Sequence, residues 1–148
     1  VFAGGSQSEV SEKREEVSKM GLKNLIFLVH KNRKEIPKIL KTADILVLPN
    51  SPISEESIKY TSPVKLGEYM ASGVPIVASD LPSIRAIVSD KAALFYKPDD
   101  ALDLARSILK VLDDRAVAEL LSYHALEEVK KYTWQKRAEK ILEFIKTK

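Results

Sequence analysis

Three features of the sequence predict an α/β fold, a three-layer α/β/α sandwich around a parallel sheet. The first is a set of short apolar runs without polar alternation, at residues 25–29, 45–48 and 75–78, the pattern of strands covered on both faces. The second is the order of elements: strands and helical patterns alternate as far as Tyr96, as crossover connections between parallel strands require. The third is that helical periodicity alone finishes the chain and supplies further cover for the sheet. At 148 residues the chain is read as one domain, 1–148.

Residues 1–3 read as a strand already under way, so a fragment is expected. Gly4 and Gly5 turn the chain out of that strand at the end of the sheet where ligand loops gather. Residues 9–20 form an outer helix with Val10, Val17 and Met20 as its few apolar contacts. The buried strand 25–29 runs into a polar turn carrying His30, then a helix over 35–41 in which Pro37 fits only the first turn. Residues 45–48 make a third buried strand, stopped by Pro49. The loop 50–61 is long for a compact domain, a length usually tied to function, and a helical turn is expected over 56–58.

Residues 62–79, SPVKLGEYMASGVPIVAS, are the centre of the chain. Ser62 is the expected cap of a short helix and Pro63 its first residue, with Leu66, Tyr69 and Met70 inward and Gly73 as the left-handed C-terminal residue. Lys65 and Glu68 share the polar side, either paired with each other or available to a ligand. The N–H groups of Val64 and Lys65 open toward the incoming end of the helix, where an anion would be stabilised. After the strand 75–78 come a brief helix to about Val88 and a strand over 93–96. Asp99 or Asp100 caps a helix facing inward through Leu102, Ala105, Ile108, Leu109 and Leu112. The helix 115–131 turns Val117, Leu120, Leu121, Ala125 and Val129 inward. Thr133 caps the last helix, whose stripe of Trp134, Ala138, Ile141, Leu142 and Ile145 has Trp134 as its anchor.

Twenty-four basic and 21 acidic residues are interspersed and leave a net charge of +3, with no aromatic-interleaved basic patch, so no nucleic-acid partner is expected. The absence of cysteine removes disulfides, thiolate nucleophiles and cysteine-based metal sites. The two histidines are remote from each other and no H-E-x-x-H spacing occurs, so no metal is expected. No G-x-S-x-G is present, and no G-x-G-x-x-G follows the first strand, which disfavours a serine hydrolase and a nicotinamide oxidoreductase. No catalytic residue is assigned.

Taken together, ADILVLP at 43–49, SPVKLGEYMASGVPIVASD at 62–80, ALFYKPDD at 93–100 and the helix 104–112 resemble the C-terminal, donor-binding domain of retaining glycosyltransferases with two Rossmann-like domains (GT-B), the glycosyl transferases group 1, family 4-like. The resemblance implies a Rossmann-like parallel sheet, no permanently bound cofactor, and a nucleotide-diphosphate sugar, UDP-, GDP- or ADP-linked, as substrate. Its sugar would pass to a glycan or lipid-linked acceptor, as in polysaccharide biosynthesis. Glu68 would hold the ribose hydroxyls, the diphosphate would meet the N–H groups of Val64 and Lys65 at the helix start, and Ser62, Tyr60, Gly4 and His30 complete the candidate set. The family carries a second glutamate eight positions before the one matching Glu68; here that position is Tyr60, and Glu55 and Glu56 are the alternatives. A glutamate expected near Ala86 and a glycine near Ala92 or Ala93 are also lacking.

By the same resemblance the first βα unit is missing, its strand expected beside residues 45–48. The implied partners are the nucleotide sugar and an N-terminal acceptor-binding domain, in cis or as a separate chain. That domain is the expected route to peripheral membrane association, and the expected location is cytoplasmic, including the cytoplasmic face of the membrane. The last helices, within 101–148, are expected to pack on the sheet or to return toward that domain, and the piece alone is expected to be inactive. The alternative is a noncatalytic Rossmann-like regulatory or assembly module.

Overall fold

The computed structural model describes residues 1–147 in two units, Val1–Ile39 and the chain from Leu40 onward. In the first unit β1 (Phe2–Ala3) pairs in parallel with β2 (Phe27–Leu28), and the rings of Phe2 and Phe27 stack with centroids 5.2 Å apart. Between them runs α1 (Gln7–Lys19), started by a reciprocal cap: Ser6 Oγ accepts the Glu9 N–H and the Glu9 carboxylate accepts the Ser6 N–H. The Arg14 guanidinium donates to the Phe27 carbonyl at 2.7 Å, tying helix to strand. Two expectations fail here. The strand expected over 25–29 is two residues long and half-buried, and Met20, expected inward, is exposed. A two-stranded sheet with one charged helix has too little apolar surface to cover a strand on both faces.

The helix α2 (Ile36–Lys41) spans the boundary between the units, with Pro37 in its first turn as expected. The second unit is a three-stranded parallel sheet of β3 (Leu46–Leu48), β4 (Ile76–Ser79) and β5 (Leu94–Tyr96), with β4 in the middle. Leu48 lies opposite Ala78, and Ala78 opposite Phe95. Among the described residues β3 is hydrogen-bonded on its β4 side alone. The helices are α3 (Glu55–Lys59), α4 (Val64–Ser72), α5 (Pro82–Arg85), α6 (Ala101–Asp113), α7 (Arg115–Val129), a 3-10 turn Lys130–Tyr132, and α8 (Trp134–Lys146).

Alternation along β4 divides the core. Ile76 and Ala78 join Leu66 and Met70 of α4, Ile84 of α5 and Ala125 of α7 on one face. Val77 joins Tyr96, Val111 of α6 and Leu121 of α7 on the other. With both faces covered, β4 is buried throughout, and the chain has the α/β fold of parallel sheets flanked by helices that the sequence predicts. At the end of α4, Gly73 adopts φ 75°, and a Cβ there would meet Leu126 Cδ1 at 3.4 Å.

Two helices turn differently from expectation. On α6 the inner face is Leu104, Ser107, Ile108 and Val111, while Leu102, Leu109 and Leu112 are exposed. Ser107 sits at the helical spacing of the true face, and its polarity hides the stripe. On α7, Leu120 is exposed where Val117, Leu121 and Ala125 pack inward. No residue of α8 is buried, and Trp134, read as an anchor, is 81% exposed.

These assignments can be checked by urea denaturation. Leu66→Ala, at a fully buried site, should lower stability by about 3 kcal/mol. Leu109→Ala, on the open side of α6, should change it by less than about 0.5 kcal/mol. A large loss at Leu109 would mean that α6 presents the other face.

Candidate functional site

The polar features of the second unit concentrate at the C-terminal ends of β3, β4 and β5, the edge where ligand sites form in parallel α/β sheets. The buried Ser79 closes β4; its hydroxyl accepts the Asn50 N–H at 3.1 Å and donates to the Leu48 carbonyl at 3.3 Å. Burial pushes the Tyr96 phenol up, and the nearby Asp99 carboxylate adds to the rise. The loop after β3 is held by hydroxyls. Ser51 donates to Asp99 Oδ1 at 2.6 Å, Ser57 to the Ser51 carbonyl at 3.0 Å, and Ser83 to the Ser57 carbonyl at 3.0 Å. Inside the loop α3 is capped reciprocally by Ser54 and Ser57, so the helical turn expected over 56–58 is present as a full short helix.

The loop delivers the chain to α4, whose start differs from expectation. Pro63, with extended backbone at ψ 115°, occupies the cap position expected of Ser62, the helix begins at Val64, and no side chain caps it. Proline offers no oxygen on its side chain, and Ser62, one residue too early, is exposed without a capping bond. Leu66 N–H reaches the Pro63 carbonyl at 3.0 Å, which leaves the N–H groups of Val64 and Lys65 without an acceptor among the described residues. Lys65 is exposed and Glu68 half-buried, and among the described residues neither side chain has a hydrogen-bond or ion-pair partner, so the Lys65–Glu68 pair does not form. An open helix start followed one turn later by an unpaired carboxylate can accept an anion and a pair of hydroxyl donors side by side.

The glutamates offered as substitutes for the missing one are engaged otherwise. Glu55 is paired with Lys59 at 2.7 Å, and hydrogen bonds from its own backbone N–H and from Ser54 hold the Glu56 carboxyl below the usual range. Tyr60 ends α3, donates its N–H to the Glu56 carbonyl at 2.9 Å, and leaves its side chain 74% exposed. Gly4 and His30 belong to the first unit, both exposed. Gly4 donates to Leu28 and His30 to Gly5, each at 3.0 Å. The structure thus gathers Tyr60, Ser62, Val64, Lys65 and Glu68 along one stretch of the second unit.

With that geometry in view, the comparison with known proteins is direct. The family model described as "Glycosyl transferases group 1" matches residues 1–114. The chain belongs to that family. It is 30% identical over 109 residues to a phosphatidyl-myo-inositol mannosyltransferase of Mycobacterium leprae, covering 73% of this chain and 28% of that protein. It is 29% identical over 98 residues to a chitobiosyldiphosphodolichol beta-mannosyltransferase of Candida albicans, covering 64% of this chain and 21% of that one. Among solved structures, HepE of Anabaena in complex with UDP superposes with TM-score 0.81 at 18% identity, over 99% of this chain and 40% of HepE. Sucrose-phosphate synthase of Thermosynechococcus elongatus gives 0.79 at 22%, over 98% and 37%. These likenesses establish a GT-B-type, Rossmann-like fold. The chain spans less than a third of the curated relatives named here and about two fifths of the solved structures.

Beside the start of α4 lies a feature that the sequence did not reveal, an open groove of about 550 Å³. Pro63, Val64 and Gly67 form one side, and Trp134, Arg137 and Phe144 of α8 another. The Arg137 guanidinium lies 5.9 Å from the Trp134 ring centroid. The spacing of Trp134 and Arg137, three apart on one helix, was the available signal, obscured by reading Trp134 as the anchor of that helix. A second feature is Arg85, at the end of α5. Its guanidinium hydrogen-bonds Asp80 and Asp90 and lies 4.1 Å from the Phe95 ring centroid. Among the described residues no group of acidic or histidine side chains could hold a metal ion, and no helix is long and apolar enough to cross a membrane.

The Arg85 hydrogen bond and charge hold the Asp80 carboxyl below its ordinary value of 3.8. A depressed folded-state value adds stability that is complete above the unfolded value and is lost as pH falls through the folded one. Asp80→Asn should therefore flatten the acid limb of a stability profile below about pH 4 and leave its slope near neutrality unchanged. Thermal unfolding followed from pH 2 to 7 would show this, and an identical acid limb in the variant would refute it.

Proposed function

We propose that this chain is the donor-binding half of a retaining glycosyltransferase that moves a sugar from a nucleotide-diphosphate sugar to a glycan or lipid-linked acceptor. One observation carries the reading. In a chain of this family, the start of α4 has two N–H groups without an acceptor among the described residues, and a Glu68 carboxylate without a partner among them one turn further on. The diphosphate would sit against the N–H groups of Val64 and Lys65 with the Lys65 ammonium beside it, and the Glu68 carboxylate would accept hydrogen bonds from both ribose hydroxyls. In the transfer, the bond from the sugar's anomeric carbon to the diphosphate breaks and one to an acceptor oxygen forms. Negative charge develops on the departing phosphate, where preorganised N–H dipoles stabilise it, and the acceptor hydroxyl proton passes to an oxygen of that leaving diphosphate. The structures of HepE in complex with UDP and with UDP-glucose support the choice of ligand class.

In this reading the acceptor site belongs to an N-terminal domain, in cis or on another chain, which fits the share of the relatives that this chain covers. The exposed stripe of α8 would return toward that domain, through which the protein would meet the cytoplasmic face of a membrane. A second reading, a noncatalytic module that retains the fold, draws support from Tyr60 standing solvent-exposed where the family has a glutamate.

Calorimetry on the full-length protein tests the proposal. One of UDP, GDP or ADP should bind, and Glu68→Ala should weaken that binding by about tenfold or more. Indifference to all three nucleotides would sink the donor reading. Binding without sugar transfer or donor hydrolysis would favour the noncatalytic module.

A further inference from the structure

Asp99 is the only described residue other than glycine with a positive φ, at 60°. It stands third in a turn with Pro98 second, closed by the Asp100 N–H on the Lys97 carbonyl at 3.2 Å. That is the type II arrangement, which favours glycine or asparagine in third place and which aspartate, with its short polar side chain, also tolerates. The helix that follows does not require it. Asp100 caps α6 by accepting the Leu102 and Asp103 N–H groups, and Asp103 accepts the Lys97 N–H at 2.7 Å. What Asp99 does is accept the Ser51 hydroxyl at 2.6 Å, across 48 positions of sequence.

Ser51 is the right residue to hold if the loop is to be aimed. Its carbonyl accepts the Ser57 hydroxyl, which also completes the cap of α3. Since α3 ends at Lys59 and α4 begins at Val64, a shift of Ser51 is passed through α3 to the open helix start within a few residues. The Asn50 N–H on Ser79 fixes the root of the loop on β4 and the Ser83 hydroxyl holds the Ser57 carbonyl from α5, so Asp99 supplies the lateral tie at Ser51, from the end of β5.

We propose that the Ser51–Asp99 hydrogen bond is a clasp that sets the position of loop 50–61 and, through it, the start of α4, with Asp99 a positioning residue that does not touch the nucleotide. The inference rests on the donor reading for its functional consequence and on geometry alone for the clasp. Glycine would suit the turn equally well but has no side-chain oxygen to accept the Ser51 hydroxyl.

The test uses the full-length protein with UDP, GDP and ADP as probes, together with hydrogen exchange over residues 50–61. Asp99→Asn keeps an acceptor oxygen and suits the positive φ, so its affinity should stay within about twofold of the parent. Asp99→Gly and Ser51→Ala should each lose about tenfold in nucleotide affinity and exchange faster in the loop, with melting temperature maintained in the glycine variant. The double variant should bind no more weakly than either single one. Unchanged exchange in both single variants overturns the clasp, whatever the affinities do. Unchanged affinity in a parent that binds nucleotide overturns its functional role alone, whereas a parent that binds none of the three overturns the donor reading.

Discussion

Burial of β4 on both faces is the constraint from which the second unit follows. A strand of four residues, none of them reaching water, must find cover above and below, and its alternation decides which helix answers which residue. Ile76 and Ala78 call for α4 and α5, and Val77 calls for α6. The helix α7 serves both sides, with Ala125 in one cluster and Leu121 in the other. Because parallel strands emerge on the same edge, the same packing brings the turns after β3, β4 and β5 together, and the polar loop systems follow from an apolar cause.

How far the sequence reveals this depends on how strongly each element is fixed by its own residues. The runs at 45–48 and 75–78 are legible because a fully covered strand admits no polar residue inside it, and Gly73 because only a left-handed residue ends α4 there. The face of α6 is illegible for the opposite reason. Leucines lie all around that helix, and the deciding position is Ser107, a buried polar residue small enough to sit against the sheet. For the site, Glu68, Lys65 and Val64 were legible as residues on one helix start, but the one-residue shift of its cap was not. Both Ser62 and Pro63 fit a helix beginning on local grounds, and only the extended backbone at Pro63 separates them. The Ser51–Asp99 contact has no sequence signal, since it joins loops 48 positions apart.

The candidate site shows one of two ways of treating polar groups. Elsewhere in the second unit hydroxyls and charges are paired: Ser79 bridges two strands, Ser89 in the segment after α5 joins Glu128 of α7, and Arg85 serves two aspartates and an aromatic ring. At the start of α4 they are left open. Exposed ion pairs such as Lys13–Glu16 and Arg115–Glu119 add little to either, because solvent screens them. Rigid saturation next to open valence is the economical way to preorganise donors, since the groups that must wait for a ligand are carried by groups that cannot move.

The helix α8 separates two properties that usually travel together. Its stripe contains Trp134, Ile141, Phe144 and Ile145, all more than half exposed, while none of its residues contributes to either core cluster. A helix of 13 residues that buries nothing gains little from propensity alone, so its order is borrowed from whatever it lies against. In solution without such a cover, these side chains make the molecule sticky before they make it unstable. Concentration will govern its colloidal behaviour, and any self-association of the folded chain through this stripe will raise the unfolding midpoint with concentration.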